Sequence, residues 1–399
     1  MRIKLDVRKW IMIGFLFICI FFPGDPYGIK FIFLFPLLAS GIGVFLKSIQ
    51  NNKYIYIFIM GVLYPIIIMM WSSIVGGKII ASVSEAYPPV LLLLVIIIVE
   101  YDIPYEKIFV LLLKIMVILL LVIVILDLIG IIDVNQSSFF RNAFYNYDMG
   151  LMGKSPEYAA FYKVFFKASP LLLVLIPYCY EKNEFLMAVL TLVACIFSGT
   201  RANIFCAVII FLFGLINIWS DNKKKKNIRI IIGIILIAVI LLLIPTLIDF
   251  LQKMMTAKGS VASDAVRSGQ FYSFKNIFSN PANLIFGMGF GSTFFDLGRM
   301  AYSAASEIAY FDLLRKIGLI WFIPFIIFVI KPFTWRIQVH YKVAYAGYLL
   351  SCFTNPLLFS STAYVLYILF YTKYYSNLKY DKDNYDNTRY TRLSEFNML

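Results

Sequence analysis

The sequence predicts an all-α polytopic membrane fold, and three observations predict it. Of the 399 residues, 61% are hydrophobic and only 15% are charged, against about 25% charged in an ordinary soluble domain. A water-soluble fold of this size could not hide that much apolar surface. The apolar residues also fall in runs near the ~20 residues that a helix needs to cross a bilayer. Third, the net charge of +14 needs a sided arrangement, because positive residues sort to one face of a membrane protein. These features exclude a soluble enzyme, a disordered chain and a secreted disulfide scaffold. Membrane lipid, not nucleic acid, is the expected neighbour of the basic residues.

Apolar runs bounded by charge, Pro or Gly place the spans. They are expected at 10–22, 29–46, 54–75, 79–99, 107–132, 164–180, 185–200, 202–219, 228–248, 307–330, 342–358 and 359–372, about twelve in all. The chain reads as one integral membrane domain, 1–399. Its N-terminal stretch has the basic start and apolar run of a signal peptide. It lacks a small-x-small cleavage site and continues into Phe22-Pro23-Gly24-Asp25-Pro26, so it is read as a retained first span. The five cysteines lie in apolar runs without metal-ligand spacing and are read as buried hydrophobes. The polar, tyrosine-rich tail, 372–399, is expected to be cytoplasmic and disordered.

Lys and Arg in the short loops set the orientation. One face carries Arg2, Lys4, Arg8 and Lys9, then Lys47, Lys53, Lys107 and Lys182. The run Lys223–Lys226 with Arg229 follows, then Lys331, Arg336, Lys342 and the basic residues of the tail, 21 of the 36 positive residues. That face is expected to be cytoplasmic, with both termini on it. The other face has two long loops, 133–163 and 249–306. There or at adjoining helix ends lie Arg141, Arg201, Arg267, Arg299 and Arg315, five of the eleven arginines. Long loops cross regardless of charge, so topology does not account for them. Arginine suits bidentate recognition of phosphate or carboxylate. Above an apolar bundle it points to the anionic headgroup of a lipid.

Three short segments stand out. In Phe197-Ser198-Gly199-Thr200-Arg201, two helices meet through small residues and leave Arg201 at headgroup depth, where a charge is costly unless used. Ser198 and Thr200 are placed to satisfy freed backbone groups or to contact a ligand. The second segment runs from Asp264 and Arg267 through Gly287, Gly289 and Gly291 to Ser306-Glu307 and Arg315-Lys316-Ile317-Gly318. Its glycines lack the strand–turn–helix setting of a dinucleotide fingerprint. They leave either a backbone able to approach a ligand or a plain loop. The third is Thr354-Asn355-Pro356, a Pro break.

Together these segments resemble the Wzy-type O-antigen and capsular polysaccharide polymerases of the O-antigen ligase/polymerase superfamily. The resemblance runs from about Ser198 to Ser361. It rests on Ser198-Gly-Thr-Arg201, Arg267, the Leu284–Gly291 stretch, Ser306-Glu307 leading to Gly318, and Thr354-Asn355-Pro356. It implies a GT-C-like helical fold in a bacterial cytoplasmic membrane. It also implies polymerisation of undecaprenyl-diphosphate-linked repeat units at the outer face, alongside a flippase and a chain-length regulator. Arginines of the two outer loops, here Arg141 and Arg267, with Arg201, are the implied substrate contacts. Ser198, Thr200, Arg315 and Asn355 join them as candidates. The loop pattern of Arg followed by Gly eleven residues on is not met at Arg141 or Arg267. The ligase branch carries an outer histidine, whereas the only histidine here, His340, falls on the cytoplasmic side. That favours a polymerase over the ligase alternative. A polyprenol-glycan flippase is a further alternative, but it should show related halves and broken helices.

The reaction expected from these residues is attack by an acceptor hydroxyl on the anomeric carbon, displacing undecaprenyl diphosphate with inversion. Arginines would stabilise the developing charge, and a carboxylate would take the hydroxyl proton. Glu307 is the first candidate, because a half-buried carboxylate is suited to accept a proton. Asp264 is the second. No metal and no cofactor is expected.

Overall fold

Helices take up the long apolar runs. The computed structural model describes residues 7–25, 27–50, 52–76, 79–136, 139–155, 161–221 and 258–396. α1 (Val7–Phe21) is followed by α2 (Ile29–Ser40) and α3 (Ile42–Gln50), bent by 53° from each other. α4 (Ile55–Phe58), a π turn (Ile59–Leu63) and α5 (Tyr64–Ile74) form one apolar rod, Ile55–Ile74. α6 (Ile79–Ala86) passes through a 3-10 turn (Pro88–Leu92) into α7 (Leu93–Glu100). The turn falls where two prolines cannot donate to the helical ladder. α8 (Tyr105–Leu128) has 24 residues, enough at about 1.5 Å each to cross a ~30 Å hydrocarbon layer.

After α9 (Phe139–Asn146), an antiparallel hairpin pairs β1 (Gly150–Ser155) with β2 (Phe161–Phe166), in register from Gly150 opposite Phe166 to Ser155 opposite Phe161. α10 (Leu172–Glu181), α11 (Phe185–Phe197) and α12 (Arg201–Asp221) pack on one another. α13 (Lys258–Phe278) and α14 (Pro281–Phe286) precede a second small hairpin, β3 (Phe294–Asp296) with β4 (Ala301–Ser303). α15 (Ala309–Ile330), α16 (Val339–Ser351) and α17 (Ser361–Phe396) complete the described chain.

The fold is mostly helical, as expected, and four described helices are long and apolar enough to cross a membrane. They are Ile55–Ile74, Val83–Glu100, Tyr105–Leu128 and Ala309–Thr334, with α2 and α3 making a fifth if the bent pair is one span. Ser169–Glu181, Phe185–Phe197 and Arg201–Leu215 are apolar but shorter. The expected span 228–248, the Lys223–Lys226 run with Arg229, and residues 249–257 lie outside the described residues.

Exposure on α8 follows a helical stripe. Leu111, Ile115, Ile118, Val122 and Ile125 are exposed, while Leu112, Leu113, Met116, Leu120 and Ile123 are buried. Exposed aliphatic side chains at a 3.6-residue period form a face suited to lipid. At the centre, Ser361 to Tyr371 of α17 are all buried. A helix apolar on every side belongs inside a bundle.

Charged pairs gather at two opposite ends of the helices. At one end Lys53 meets Glu100 at 2.8 Å, Lys373 meets Glu106 at 2.7 Å, and Lys379 meets Asp102 at 3.0 Å. The other end holds the arginine pairs described below. This division matches the alternation of loop charge along the sequence.

Three expectations need correction. The regions expected to be long outer loops are not plain loops: 133–163 contains α9, β1 and the start of β2, and the described part of 249–306 contains α13, α14, β3 and β4. The expected span at 164–180 begins later, because Val164–Phe166 belong to β2 and the helical run starts at Ser169. Aromatic and β-branched residues there suit a strand, and a short apolar run does not distinguish strand from helix. Third, the tail is helical through Phe396 as a continuation of α17, not disordered. Its first turns are held in the core, and extending a helix costs far less than starting one.

Candidate functional site

The tight turn after α11 brings Arg201 to the first position of α12. There its guanidinium grips both carboxylate oxygens of Asp264, with NH1 to Oδ2 at 3.0 Å. Asp264 lies on α13, one helical turn before Arg267, whose NH1 reaches the same Oδ1 at 3.3 Å. The Nε of Arg267 then meets Oε2 of Glu307 at 3.2 Å, and Arg299 meets Oε1 of Glu307 at 3.2 Å. Arg299 is also 3.9 Å from Asp296. The result is a continuous ladder of three arginines and three carboxylates. It joins the Ser198–Arg201 turn to the second outer region. Its members other than Asp296 are partly open, with side-chain exposures from 26% to 50%, so a ligand can reach them.

Below the ladder is a buried scaffold. Gln270 donates to Asp296 at 2.8 Å and accepts from Ser306 at 2.8 Å and from the Glu307 backbone at 3.2 Å. One amide thus ties α13, β3 and the entry to α15 together. The electrostatics follow from these contacts. Hydrogen bonds from Arg201 hold the Asp264 carboxyl below the usual aspartate range. Partial desolvation opposes the shift, and the charges of Arg201 and Arg267 reinforce it. Lys163 on β2 feels the same charges. Desolvation lowers its ammonium pKa, Glu307 opposes and Arg267 adds to the effect. The first outer region therefore reaches the second.

The remaining candidates take different places. Ser198 is buried and its hydroxyl donates to the Cys195 carbonyl at 2.7 Å, so it closes α11. Thr200 keeps a buried Oγ1 with no hydrogen-bond partner among the described residues. It sits one residue from Arg201. Arg141 is not a rung of the ladder. It donates to the carbonyls of Val134, at 3.1 Å, and Asn135, and lies 5.4 Å over the Tyr145 ring. Asn355 donates to the Ser351 carbonyl at 2.9 Å and stabilises the turn after α16.

Arg315 is fully buried. It holds Asp312 at 2.8 Å, Ser292 Oγ at 2.8 Å and the Ala304 carbonyl at 3.1 Å, and lies 4.7 Å over the Phe294 ring. It fastens the outer region and offers no donor to solvent, so the expected substrate contact is replaced by a structural one. Lys316 completes this inner group, with Glu85 at 2.9 Å and Asp312 at 3.2 Å.

The glycine run also has a structural use. α15 is broken at Gly318, with φ 68° and ψ 169°. The freed carbonyls of Arg315 and Lys316 accept from Met288 N at 2.7 Å and Gly289 N at 2.8 Å. A Cβ on Gly287 would meet Gly318 N at 2.5 Å. These glycines let loop and broken helix touch backbone to backbone. The sequence left open a backbone able to approach a ligand or a plain loop, and the observed use is close packing against the protein's own backbone.

Arg299 was noted only as one of the five arginines of that face, and Gln270, Lys163 and Glu85 were not singled out by sequence reasoning. Gln270 and Glu85 carry no local signal, and their partners are distant in the chain. Glu157 lies outside the described residues. Among the described residues no group of three or more His, Cys, Asp or Glu could hold a metal ion. Comparison with protein-family models, curated proteins and solved structures finds no match to this chain.

Proposed function

We propose that the chain is a bacterial cytoplasmic-membrane glycosyltransferase of about twelve spans and GT-C-like architecture. In this reading both termini are cytoplasmic and the ladder faces outward. It joins undecaprenyl-diphosphate-linked repeat units into O-antigen or capsular polysaccharide, next to a flippase and a chain-length regulator. The observation that carries the reading is the ladder itself. Arg201, Arg267 and Arg299 come from separate parts of the chain and are held side by side, partly open, at one end of an apolar bundle.

Carboxylates hold these guanidinium groups in place, and phosphate oxygens present the same bidentate geometry. A diphosphate entering the ladder takes the place of Asp264 on Arg201 and Arg267. The acceptor oxygen then bonds to the anomeric carbon of the donor while the anomeric carbon–oxygen bond breaks. Undecaprenyl diphosphate leaves with the electron pair, and the arginines stabilise its charge. As the diphosphate draws Arg267 away, one oxygen of Glu307 is freed to accept the acceptor's proton. Asp264, displaced in the same step, is the second candidate. No protein acid is required for a diphosphate leaving group.

The break in α15 beside Asp312, Arg315 and Lys316 favours a second reading, a lipid-glycan transporter, since broken helices with ionisable residues mark transport sites. Complementation of a polymerase-deficient strain with Arg201→Ala and Arg267→Ala, followed by profiling of lipid-linked glycans, separates the two. A polymerase defect leaves single repeat units on the outer leaflet. Accumulation on the inner leaflet would establish the transporter. Unchanged glycan length in stably expressed variants would remove the ladder from the site.

A further inference from the structure

A half-open pocket of about 300 Å³ lies between the turn after α1, α6 and the upper half of α15. That is the lower end of the range for small-molecule sites, roughly 300–1,000 Å³. Ala305 and Ala309 line it, while Glu307 between them belongs to the ladder. Cavity and ladder therefore flank the same short stretch of chain.

The cavity wall carries four charged groups: Lys30, Glu85, Asp312 and Lys316. Lys316 is 2.9 Å from Glu85 and 3.2 Å from Asp312. Lys30 is 3.8 Å from Asp25 and 5.3 Å from the centre of the Tyr87 ring. Lys30, Asp312 and Lys316 are each less than a tenth exposed. Oε2 of Glu85 is buried and makes no hydrogen bond of good geometry among the described residues, although Lys316 is near.

This balance restricts the ligand. An anion would meet two carboxylates, and a cation would meet two ammonium groups. Either meets as many like charges as opposite ones, so no net attraction offsets the cost of its desolvation. A neutral polyol suffers neither penalty, because its hydroxyls donate to Glu85 and Asp312 and accept from Lys30 and Lys316. The rings of Tyr87 and Phe290 supply apolar faces for the C–H side of a sugar.

The geometry points to a pyranose-binding pocket, formed by Lys30, Glu85, Asp312 and Lys316, that seats the acceptor end of the glycan beside the arginine ladder. The acceptor assignment rests on the polymerase reading. The binding of a neutral sugar ring does not, and it is tested separately.

The test is saturation-transfer NMR on the full-length protein in nanodiscs. The probes are the methyl pyranosides of glucose, galactose, N-acetylglucosamine and rhamnose, with inorganic pyrophosphate as competitor. At least one pyranoside should receive saturation. The signal should be lost in Ala305→Trp, which fills the cavity from an exposed position. It should weaken about tenfold to a hundredfold in Glu85→Gln, the loss of one charge-assisted hydrogen bond. Lys316 keeps Asp312 in that variant, so the fold survives. Arg201→Ala should leave the signal intact, and pyrophosphate should not displace the sugar. No saturation on any pyranoside, persistence in both cavity variants, or displacement by pyrophosphate would each overturn the pocket. A bound pyranoside combined with normal glycan length in Arg201→Ala would keep the pocket and remove the ladder from the site, while a bound pyranoside combined with single units on the inner leaflet would keep the pocket and discard the polymerase reading.

Discussion

Arg315 and Arg201 carry the same group into opposite circumstances. Arg315 is fully buried among Asp312, Ser292 and Ala304. Removing one partner of a buried pair leaves the other uncompensated, so Arg315→Ala should cost about 3–5 kcal/mol of stability, read as a lowered thermal unfolding midpoint. Arg315→Lys should recover only part of it, because a point charge cannot make the fork of contacts. Arg201 is about a third exposed and pairs with a half-exposed Asp264, where a single ion pair contributes at most about 1 kcal/mol. Its effect is visible in pH dependence. The Asp264 carboxyl is held below its ordinary value by Arg201. The pair therefore stabilises the fold above about pH 3.9 and loses that contribution as pH falls through the lowered native value. The stability gap between the wild type and Asp264→Asn should accordingly close on acidification. A constant gap would show that the pair does not titrate with folding. That Arg201 would be paired was legible, because a charge without a loop to sit on demands a partner. Which partner was not legible, since Asp264 lies 63 positions away.

At the scale of elements, the apolar helices were readable and the segments around the two small hairpins were not. Runs of Ile, Leu, Val and Phe near bilayer length have one common solution, so every described interval expected to be a span contains helix. The hairpin of β1 and β2 was missed because Phe161–Phe166 merges into the apolar run that follows, and residues 156–160 give no clear turn. The broken α15 was hidden for another reason. Ile317-Gly318-Leu319 resembles any helical stretch with one glycine, and only the loop packed against it requires the left-handed backbone. Gly318→Ala should be poorly tolerated. Its φ of +68° strains any side chain, and the new Cβ would meet Ile285 O at 2.4 Å. The backbone term alone is about 1–2 kcal/mol, and the clash adds to it. Ser72→Ala leaves the Phe290 N–H, now bonded to Ser72 Oγ at 3.0 Å, buried without an acceptor. Its cost should be about 1–3 kcal/mol. Thermal unfolding of the two variants measures both.

For the whole molecule, the pairing of charges at two ends makes sidedness testable without reference to function. All five cysteines are buried and free, so introduced thiols report against a quiet background. An impermeant maleimide applied to intact cells should label Asn146→Cys and Ser268→Cys, which are exposed at the ladder end. Lys9→Cys should react only after permeabilisation. Labelling of Lys9→Cys and not Ser268→Cys in intact cells would invert the molecule and put the ladder where nucleotide sugars, not lipid-linked donors, are available. The loop charges indicated this division before any contact was known. What they could not give is that both outer regions converge on one patch, where Lys163 senses Glu307 and Arg267.

The joint between the glycine run and α15 constrains how such a chain can change over time. Met288 and Gly289 are bonded to the carbonyls above the break, and Trp71 Nε1 donates to the Phe286 carbonyl at 2.7 Å. Residues 286–291 are therefore clamped from two sides and have no slack for an inserted residue. From 297 to 305, by contrast, most positions are exposed and lie around a tight hairpin. Because Gly298 packs on α13 and Arg299 and the Ala304 carbonyl are in use, length variation between descendants should be confined to the turn around exposed Met300 and be purged from 286–291. The exposed turn can be remodelled, while the fastening that holds it to the bundle stays at a fixed length.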